Sequence, residues 1–262
     1  MPDDSRTLFD LDAVSFRIGA RIIVKPLTLN LPQGRIYGLV GQNGSGKSSL
    51  IKMLARQQPA SGGSVAVLGR PLRDYSDREY ARLVAYMPQF TPPADSLTVR
   101  ELVSLGRFPW HGALGRFSGE DTAKVEQALD QTDLQSFTSR TVDSLSGGER
   151  QRVWLAMMLA QDTRCLLLDE PTSALDVAHQ VEILALVREL SRERKMGVVV
   201  VLHDINMAGR YCDEIIALRE GEMVARGTQE EILDGAVLDR IYGLPMGILP
   251  HPRTGAPISY VL

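Results

Sequence analysis

The residue types in Gly41-Gln42-Asn43-Gly44-Ser45-Gly46-Lys47-Ser48 are those needed to hold a polyphosphate. The stretch fits G-x-x-x-x-G-K-[ST] at every constrained position. Glycines let the backbone curl so that successive N–H groups converge on an anion. A helix beginning near Lys47 aims the positive end of its dipole at the same place. Lys47 would reach the β- and γ-phosphates of a nucleotide, and the Ser48 hydroxyl would ligate Mg2+. The apolar run Ile36–Val40 before the loop and the helical spacing of Leu50, Met53 and Leu54 after it give strand–loop–helix context. That context separates the match from an ordinary Gly-rich turn.

Two further stretches carry chemistry. Cys165-Leu166-Leu167-Leu168-Asp169-Glu170 reads as an apolar strand that delivers two carboxylates at its C-terminal end, where open α/β sheets bind ligands. Asp169 is placed to hold Mg2+ through water, and Glu170 to act as general base on an attacking water. Alone, the pair fits a solvated acidic turn equally well; the phosphate cradle in the same chain decides for catalysis. The second stretch is Leu145-Ser146-Gly147-Gly148-Glu149-Arg150-Gln151-Arg152. Ser146, Gly147 and Gly148 open a strongly helical run with Glu149 in its first turn, and the free N–H groups there make a second anion site.

These groups need elements to position them. Leu11 to Ile18 and Ile22 to Leu31 read as strands separated by a turn at Gly19 and ended by Pro32 to Gly34. From Thr98 to about Leu159 the pattern is helical, over Thr98 to Leu105, Asp121 to Asp133 and Glu149 to Ala160. The Gly-, Pro- and aromatic-rich stretch Arg107 to Gly119 reads as an ordered loop. Beyond Cys165 strand and helix alternate: Ala178 to Arg194 helical, Val198 to Leu202 extended, Ile205 to Cys212 helical, then strands Glu214 to Arg219 and Met223 to Gly227. Alternation of this kind predicts a mainly parallel sheet with helices on its faces. Leu244 to Leu262, with four prolines, reads as a surface-running tail or cover.

Composition narrows the classes. With 262 residues, 44% hydrophobic and 23% charged, the chain can bury a substantial core. A net charge of -3 gives no broad attraction for nucleic acid or anionic lipid. Cys165 and Cys212 form no CxxC pair, which argues against zinc and a disulfide framework and for small buried side chains in a reducing compartment. Met1 to Asp12 lacks the pattern of a secretory signal, and no apolar run approaches the ~20 residues that span a bilayer. Work at a membrane would need a partner to carry the chain there.

Leu145 to Arg152 resembles the signature motif of ABC transporter ATP-binding subunits, and its position before the Asp169–Glu170 strand strengthens the likeness. Other positions join it. Gln89, in Tyr86-Met87-Pro88-Gln89, is similar to the Q-loop residue that senses Mg2+ and the attacking water. Ser173-Ala174-Leu175-Asp176 resembles the D-loop, which contacts the opposite subunit. His203, followed by Asp204, resembles the switch histidine that bonds the γ-phosphate and Glu170. The family commonly stacks an aromatic on adenine after the first strand. Here Ile18 stands at that place with Phe16 two residues earlier, which predicts an apolar contact from Ile18, help from Phe16 on the same face, and loose base selectivity.

The resemblance covers essentially the whole chain and implies a single nucleotide-binding domain over 1–262. Its fold would be α/β, a P-loop NTPase (RecA-like) core with an N-terminal antiparallel β-region and an inserted α-helical subdomain at about 91–144. Gly41, Asn43, Gly44, Ser45, Gly46, Lys47, Ser48 and Ser49, with Ile18 and Phe16, would bind ATP. Ser48, Gln89 and Asp169 would hold Mg2+; Glu170, His203, Gln89 and Lys47 would serve hydrolysis. Ser146, Gly147, Gly148, Glu149 and Asp176 would act on the other copy of a homodimer. A compact subunit without spans is similar to bacterial importer ATPases, which work on an integral-membrane permease at the cytoplasmic face of the plasma membrane.

Leu97 to Pro109 is similar to the iron-siderophore and vitamin B12 subgroup. Trp110 to Phe117 and Pro245 to Pro252 resemble ATPases of ferric-hydroxamate uptake, which implies indirect dependence on a periplasmic or lipid-anchored siderophore-binding protein. Heme, vitamin B12 or another siderophore stay open as cargo, and so does a soluble ABC ATPase acting elsewhere. A basic stripe or inserted arm for nucleic acid is absent from the sequence, and intact Lys47, Asp169, Glu170 and His203 oppose a purely structural module. Phe108, Trp110 and Phe117 either receive a partner's coupling helix or pack within the helical region. His111 has no paired ligand for a metal.

Overall fold

The computed structural model describes residues 7–94, 96–112, 115–173 and 175–262. Ala113 and Leu114 of the 110–117 stretch and Ala174 of the D-loop-like stretch lie outside the described residues, as do the first six residues of the chain. The chain divides into two compact units, one made of the residues up to Asp74 together with Leu190–Leu262, the other of Tyr75–Glu189.

The first unit opens with β1 (Thr7–Ile18), β2 (Arg21–Pro32), β3 (Ile36–Val40), α1 (Lys47–Leu54), β4 (Gly62–Val67) and β5 (Arg70–Pro71). The second holds α2 (Asp77–Ala81), β6 (Val84–Met87), α3 (Val99–Leu105), α4 (Phe108–His111), α5 (Gly119–Gln131), α6 (Gly147–Ala160), β7 (Cys165–Leu168) and most of α7 (Val177–Arg194). The chain then returns to the first unit through β8 (Gly197–Val201), α8 (Ile205–Tyr211), β9 (Glu214–Arg219), β10 (Glu222–Gly227), α9 (Gln229–Ile232), α10 (Gly235–Tyr242), β11 (Met246–Pro250) and β12 (Pro257–Val261).

In the first unit, β2-β1-β4-β5 form an antiparallel sheet. Beside it, β3 lies parallel to both β8 and β9, and β10 closes antiparallel on β9. Every residue of β3 and β8 is buried. Continuous apolar runs without alternation are what a parallel strand covered on both faces requires. Helix α1 packs on β8 and α8 on β3, so the helices that start at the strand ends also cover the sheet.

The C-terminal stretch is a β-hairpin, where a surface tail or cover was expected. Its strands pair from Met246↔Val261 to Pro250↔Pro257. Beyond the proline pair one more bond in the same register, His251 N–H to Ala256 O at 2.7 Å, closes the hairpin, so the prolines fall where no ladder N–H is required. The hairpin is fastened by Asn206, whose amide donates to Ser259 O at 3.0 Å and accepts from Ser259 N at 2.8 Å.

In the second unit β6 and β7 are parallel, with Val84↔Cys165 through Met87↔Leu168 in register. Helices α3, α5 and α6 pack on one another. Each begins at a Ser or Thr whose side chain accepts from the third helical residue, while that residue's carboxylate returns the bond: Thr98 with Glu101, Ser118 with Asp121, Ser146 with Glu149. Arg107–Gly119 was expected as a loop, yet Phe108–His111 makes one helical turn, with Pro109 in its first turn. Arg78 and Arg82 hold that turn through the Pro109 carbonyl, at 2.8 and 3.0 Å from their Nε atoms. Beneath it Arg107 Nε donates to Asp121 at 2.8 Å, both residues buried, and Arg107 Nη1 donates to Ala160 O at 2.8 Å.

Candidate functional site

Each unit carries its own cluster of candidate residues. In the first, parallel pairing sets the geometry. Leu39 is opposite Val201 in the β3–β8 register, so the loop after β3 and the residues after β8 leave the sheet at the same end. That brings the Gly41–Ser48 loop and His203 to one edge. His203 is exposed, and Asp204 behind it caps α8 by accepting from Asn206 N at 2.7 Å.

The loop is a rigid cradle. Gly41 has φ of 136°, and a Cβ there would lie 2.0 Å from Leu218 O, so only glycine fits. The turn between β9 and β10 braces the far side, Gly221 N donating to Ser45 O at 3.1 Å. Gly46 stands before α1 in the left-handed conformation with no side-chain cap on the helix, so no capping side chain blocks the approach of an anion to that helix start. Lys47 is 4% exposed, and its ammonium donates to the carbonyls of Gly41 (2.8 Å) and Gln42 (2.9 Å). Ser45 is buried, and its hydroxyl has no hydrogen-bond partner among the described residues. A buried hydroxyl left open at the heart of the loop fits a phosphate oxygen. Ser48 and Ser49 are half-buried, whereas Asn43 and Gly44 are exposed.

Phe16 pairs with Val24 across β1 and β2, and Val24 Cγ2 is 3.1 Å from where a Cβ on Gly46 would sit. The strand carrying Phe16 is therefore paired with one that abuts the loop. The register shifts between Phe16 and Arg17 because β2 carries an extra residue, Ile23, between Val24 and Ile22, while β1 runs on from Phe16 to Ile18 with none added. Phe16 is half-buried and Ile18 is 64% exposed.

In the second unit the same parallel logic applies. Met87 is opposite Leu168, so Gln89 and Glu170, each two residues further on, emerge side by side. Gln89 Nε2 donates to Glu170 Oε2 at 2.6 Å. Glu170 has φ of 54°, a left-handed backbone that costs a non-glycine residue about 1–3 kcal/mol and collects at functional sites. Asp169 is fully buried, its N–H donating to Met87 O at 2.9 Å. The hydroxyl of Tyr86 lies 3.5 Å from Asp169 Oδ2, and burial, then the Asp169 charge, raises the phenol above its usual range. In the sequence Tyr86 stands out only as a neighbour of Gln89. The signal for it was register, since β6–β7 pairing brings Tyr86 opposite Leu167. The carboxylate of Asp169 and the carboxamide oxygen of Gln89 are hard donors of the kind Mg2+ prefers, as is, in the first unit, the hydroxyl of Ser48.

Ser146 and Gly147 are exposed at the start of α6 while Gly148 is buried. Glu149 donates its N–H to Ser146 Oγ at 3.3 Å and takes back Ser146 N–H at 2.8 Å. Those bonds from Ser146 hold the Glu149 carboxyl below its usual range. Asp176 caps α7, accepting from the backbone N–H of His179 at 2.9 Å, and is likewise lowered.

The family model described as "ABC transporter" matches residues 24–173. An achromobactin transport ATP-binding protein of Dickeya dadantii is 43% identical over 239 residues, 91% of this chain and 89% of that protein. An iron(3+)-hydroxamate import ATP-binding protein of Bacillus subtilis is 42% identical over 241 residues, 92% and 89%. Among solved structures, a chain of an inward-facing transporter assigned to the metal-chelate type superposes with a TM-score of 0.85 at 27% identity, covering 98% of this chain and 97% of that one. A dimeric bacterial ABC transporter cassette gives 0.71 at 31% identity, 84% and 98%. With the model spanning more than half its length and relatives above 40% identity along nine-tenths of it, the chain belongs to the ABC transporter family, among its ATP-binding proteins.

Proposed function

We propose that this chain is the ATP-hydrolysing subunit of an importer for ferric siderophores, with ferric hydroxamates as its cargo class. The observation that carries the hydrolytic reading is the bond from Gln89 to Glu170 beside buried Asp169. It holds one carboxylate oriented for a water while the other is reserved for a cation. The cargo reading is supported by the relatives' names and by the 110–117 and 245–252 stretches.

The roles follow from the groups. The N–H groups from Gly41 to Ser49, with Asn43, Gly44, Ser45 and Gly46, hold the phosphates; Lys47 neutralises the β- and γ-oxygens. Ser48, Gln89 and Asp169 would hold Mg2+, which would supply positive charge against the phosphates. Glu170 takes the proton of the attacking water, a role worth roughly 10²–10⁴-fold. His203 bonds the γ-phosphate. Exposed Ile18 and half-buried Phe16 give adenine an apolar contact rather than a defined stack.

Two copies close head to tail, so that Ser146, Gly147, Gly148 and Glu149 of one face the nucleotide of the other, with Asp176 at the seam. The exposure of Ser146 and Gly147 supports action in trans. Phe90, Leu105, Phe108 and Phe117 expose apolar surface in the second unit and form the seat for a permease at the cytoplasmic face of the membrane. No described helix is long and apolar enough to cross a membrane, so the membrane partner supplies the spans. A siderophore-binding protein acts on that permease and never on this chain, and no nucleic acid takes part.

The test is to purify Glu170→Gln in ATP with its bound membrane protein, then to assay wild-type ATPase in that assembly with its binding protein. Stimulation by ferrichrome-type complexes is expected. A permease without that response, or with a response to heme or vitamin B12, would replace the cargo. Absence of any membrane partner would overturn the importer reading.

A further inference from the structure

His179 sits in the first turn of α7, and none of the roles above uses its side chain. Its ring Nδ1 is 2.8 Å from Asp176 Oδ1, the oxygen that also accepts its backbone N–H. An ionised carboxylate only accepts, so Nδ1 carries the proton of that bond. The imidazole also lies against the start of α6. A Cβ added at Gly148 would come 2.3 Å from His179 Cδ2 and 2.9 Å from its Cγ and Nε2. Gly148 is an α-helical residue without a positive φ, so its missing side chain answers to the imidazole and not to the backbone. Leu175 follows the same path, its Cδ2 3.9 Å from the Cβ position of Gly147.

We propose that His179 is a positioning residue that locks the Asp176 loop to the N-terminus of α6, so that the two segments meeting the partner copy move as one piece. The inference rests on the reading of Ser146–Glu149 as the trans phosphate site. One ring serves both sides: its Nδ1–H fixes the carboxylate, and its Cδ2–Nε2 edge fills the space that glycine leaves. Dimer closure then presents Asp176 and Ser146 in a fixed relation instead of ordering each separately, which lowers the cost of assembling the site.

The experiment is a double-mutant cycle on the full chain with His179→Ala and Gly148→Ala, read by thermal melting and by steady-state ATP hydrolysis. His179→Ala is expected to lower kcat roughly tenfold with KM for ATP within about twofold, the pattern of a lost transition-state interaction. His179→Asn, whose amide N–H reaches Asp176 from the place of Nδ1, is expected to recover most of kcat. Gly148→Ala is expected to lower the melting temperature in the wild-type background by more than in the His179→Ala background, where the clashing imidazole is gone. Additive effects on melting would overturn the lock. Normal kcat in His179→Ala, or no recovery in His179→Asn, would overturn its role in turnover. If the wild type fails to hydrolyse ATP, the proposed function falls while the melting cycle still decides the lock.

Discussion

At the scale of single residues, the two units divide the chemical work. Lys47 is a buried cation on its own loop carbonyls, so its place is fixed before any phosphate arrives. Lys47→Ala removes that charge and should abolish ATP-dependent thermal protection. For a tight ligand at one hundred times its Kd that protection is about 2.7 kcal/mol. A retained shift would deny Lys47 its role. Glu170 is different, since its proposed role uses the charge for proton transfer rather than binding. Glu170→Gln should keep the thermal shift and lose roughly 10²–10⁴-fold in turnover, measured as phosphate release. Turnover near wild type would remove Glu170 as the base. The left-handed backbone at Glu170 was invisible in sequence, because nothing in Asp-Glu-Pro announces a positive φ at a glutamate.

Among elements, a buried ion pair helps to tie α5 to α6 in the second unit. Arg107 links α5 through Asp121 and α6 through Ala160 O. Arg107→Met should cost about 3–5 kcal/mol, because it removes the opposite charge from a buried carboxylate and leaves it the neutral donors of Ser118. Chemical denaturation would measure it. Asp121 also gives a pH test. Burial alone would raise its pKa, but bonds from Ser118 and from Arg107 outweigh burial and bring it to about 2. An unfolded aspartate titrates near ~3.9. A lowered folded pKa gives stability that is complete above the unfolded value and lost as pH falls towards the folded one. Melting temperatures of wild type and Asp121→Asn should therefore differ most above pH ~4 and converge as pH drops to ~2. A constant gap would assign the cost of Asp121→Asn to packing. The strands Ile36–Val40 and Cys165–Leu168 and the long helices were legible from apolar runs and helical spacing, whereas β6, which leads to Gln89, was not. The turn at Phe108–His111 was not, since Arg78 and Arg82, about thirty residues earlier, hold it.

For the whole molecule, the proposed closure has a second copy finish the exposed N-terminus of α6. ATP with Glu170→Gln should shift the chain from monomer to dimer in sedimentation velocity, and Ser146→Arg should prevent the shift without loss of nucleotide binding. A dimer that forms unchanged with Ser146→Arg would place the interface elsewhere.

Sequence alone determined the phosphate cradle, the carboxylate pair, the signature and the family, because each is a short run whose residue types must be adjacent in the chain to work. It also gave the strands that bear them, since a buried parallel strand writes itself as an uninterrupted apolar run. Only the tertiary structure decided which separate runs meet. Gln89 reaches Glu170 across eighty-one residues because β6 and β7 pair in register. Asn206 pins Ser259 and turns an apparent tail into a hairpin. His179 explains the glycine at 148 from thirty-one residues away. Such contacts leave no periodic mark, because strand register and side-chain approach are set by packing between elements and not by spacing within one.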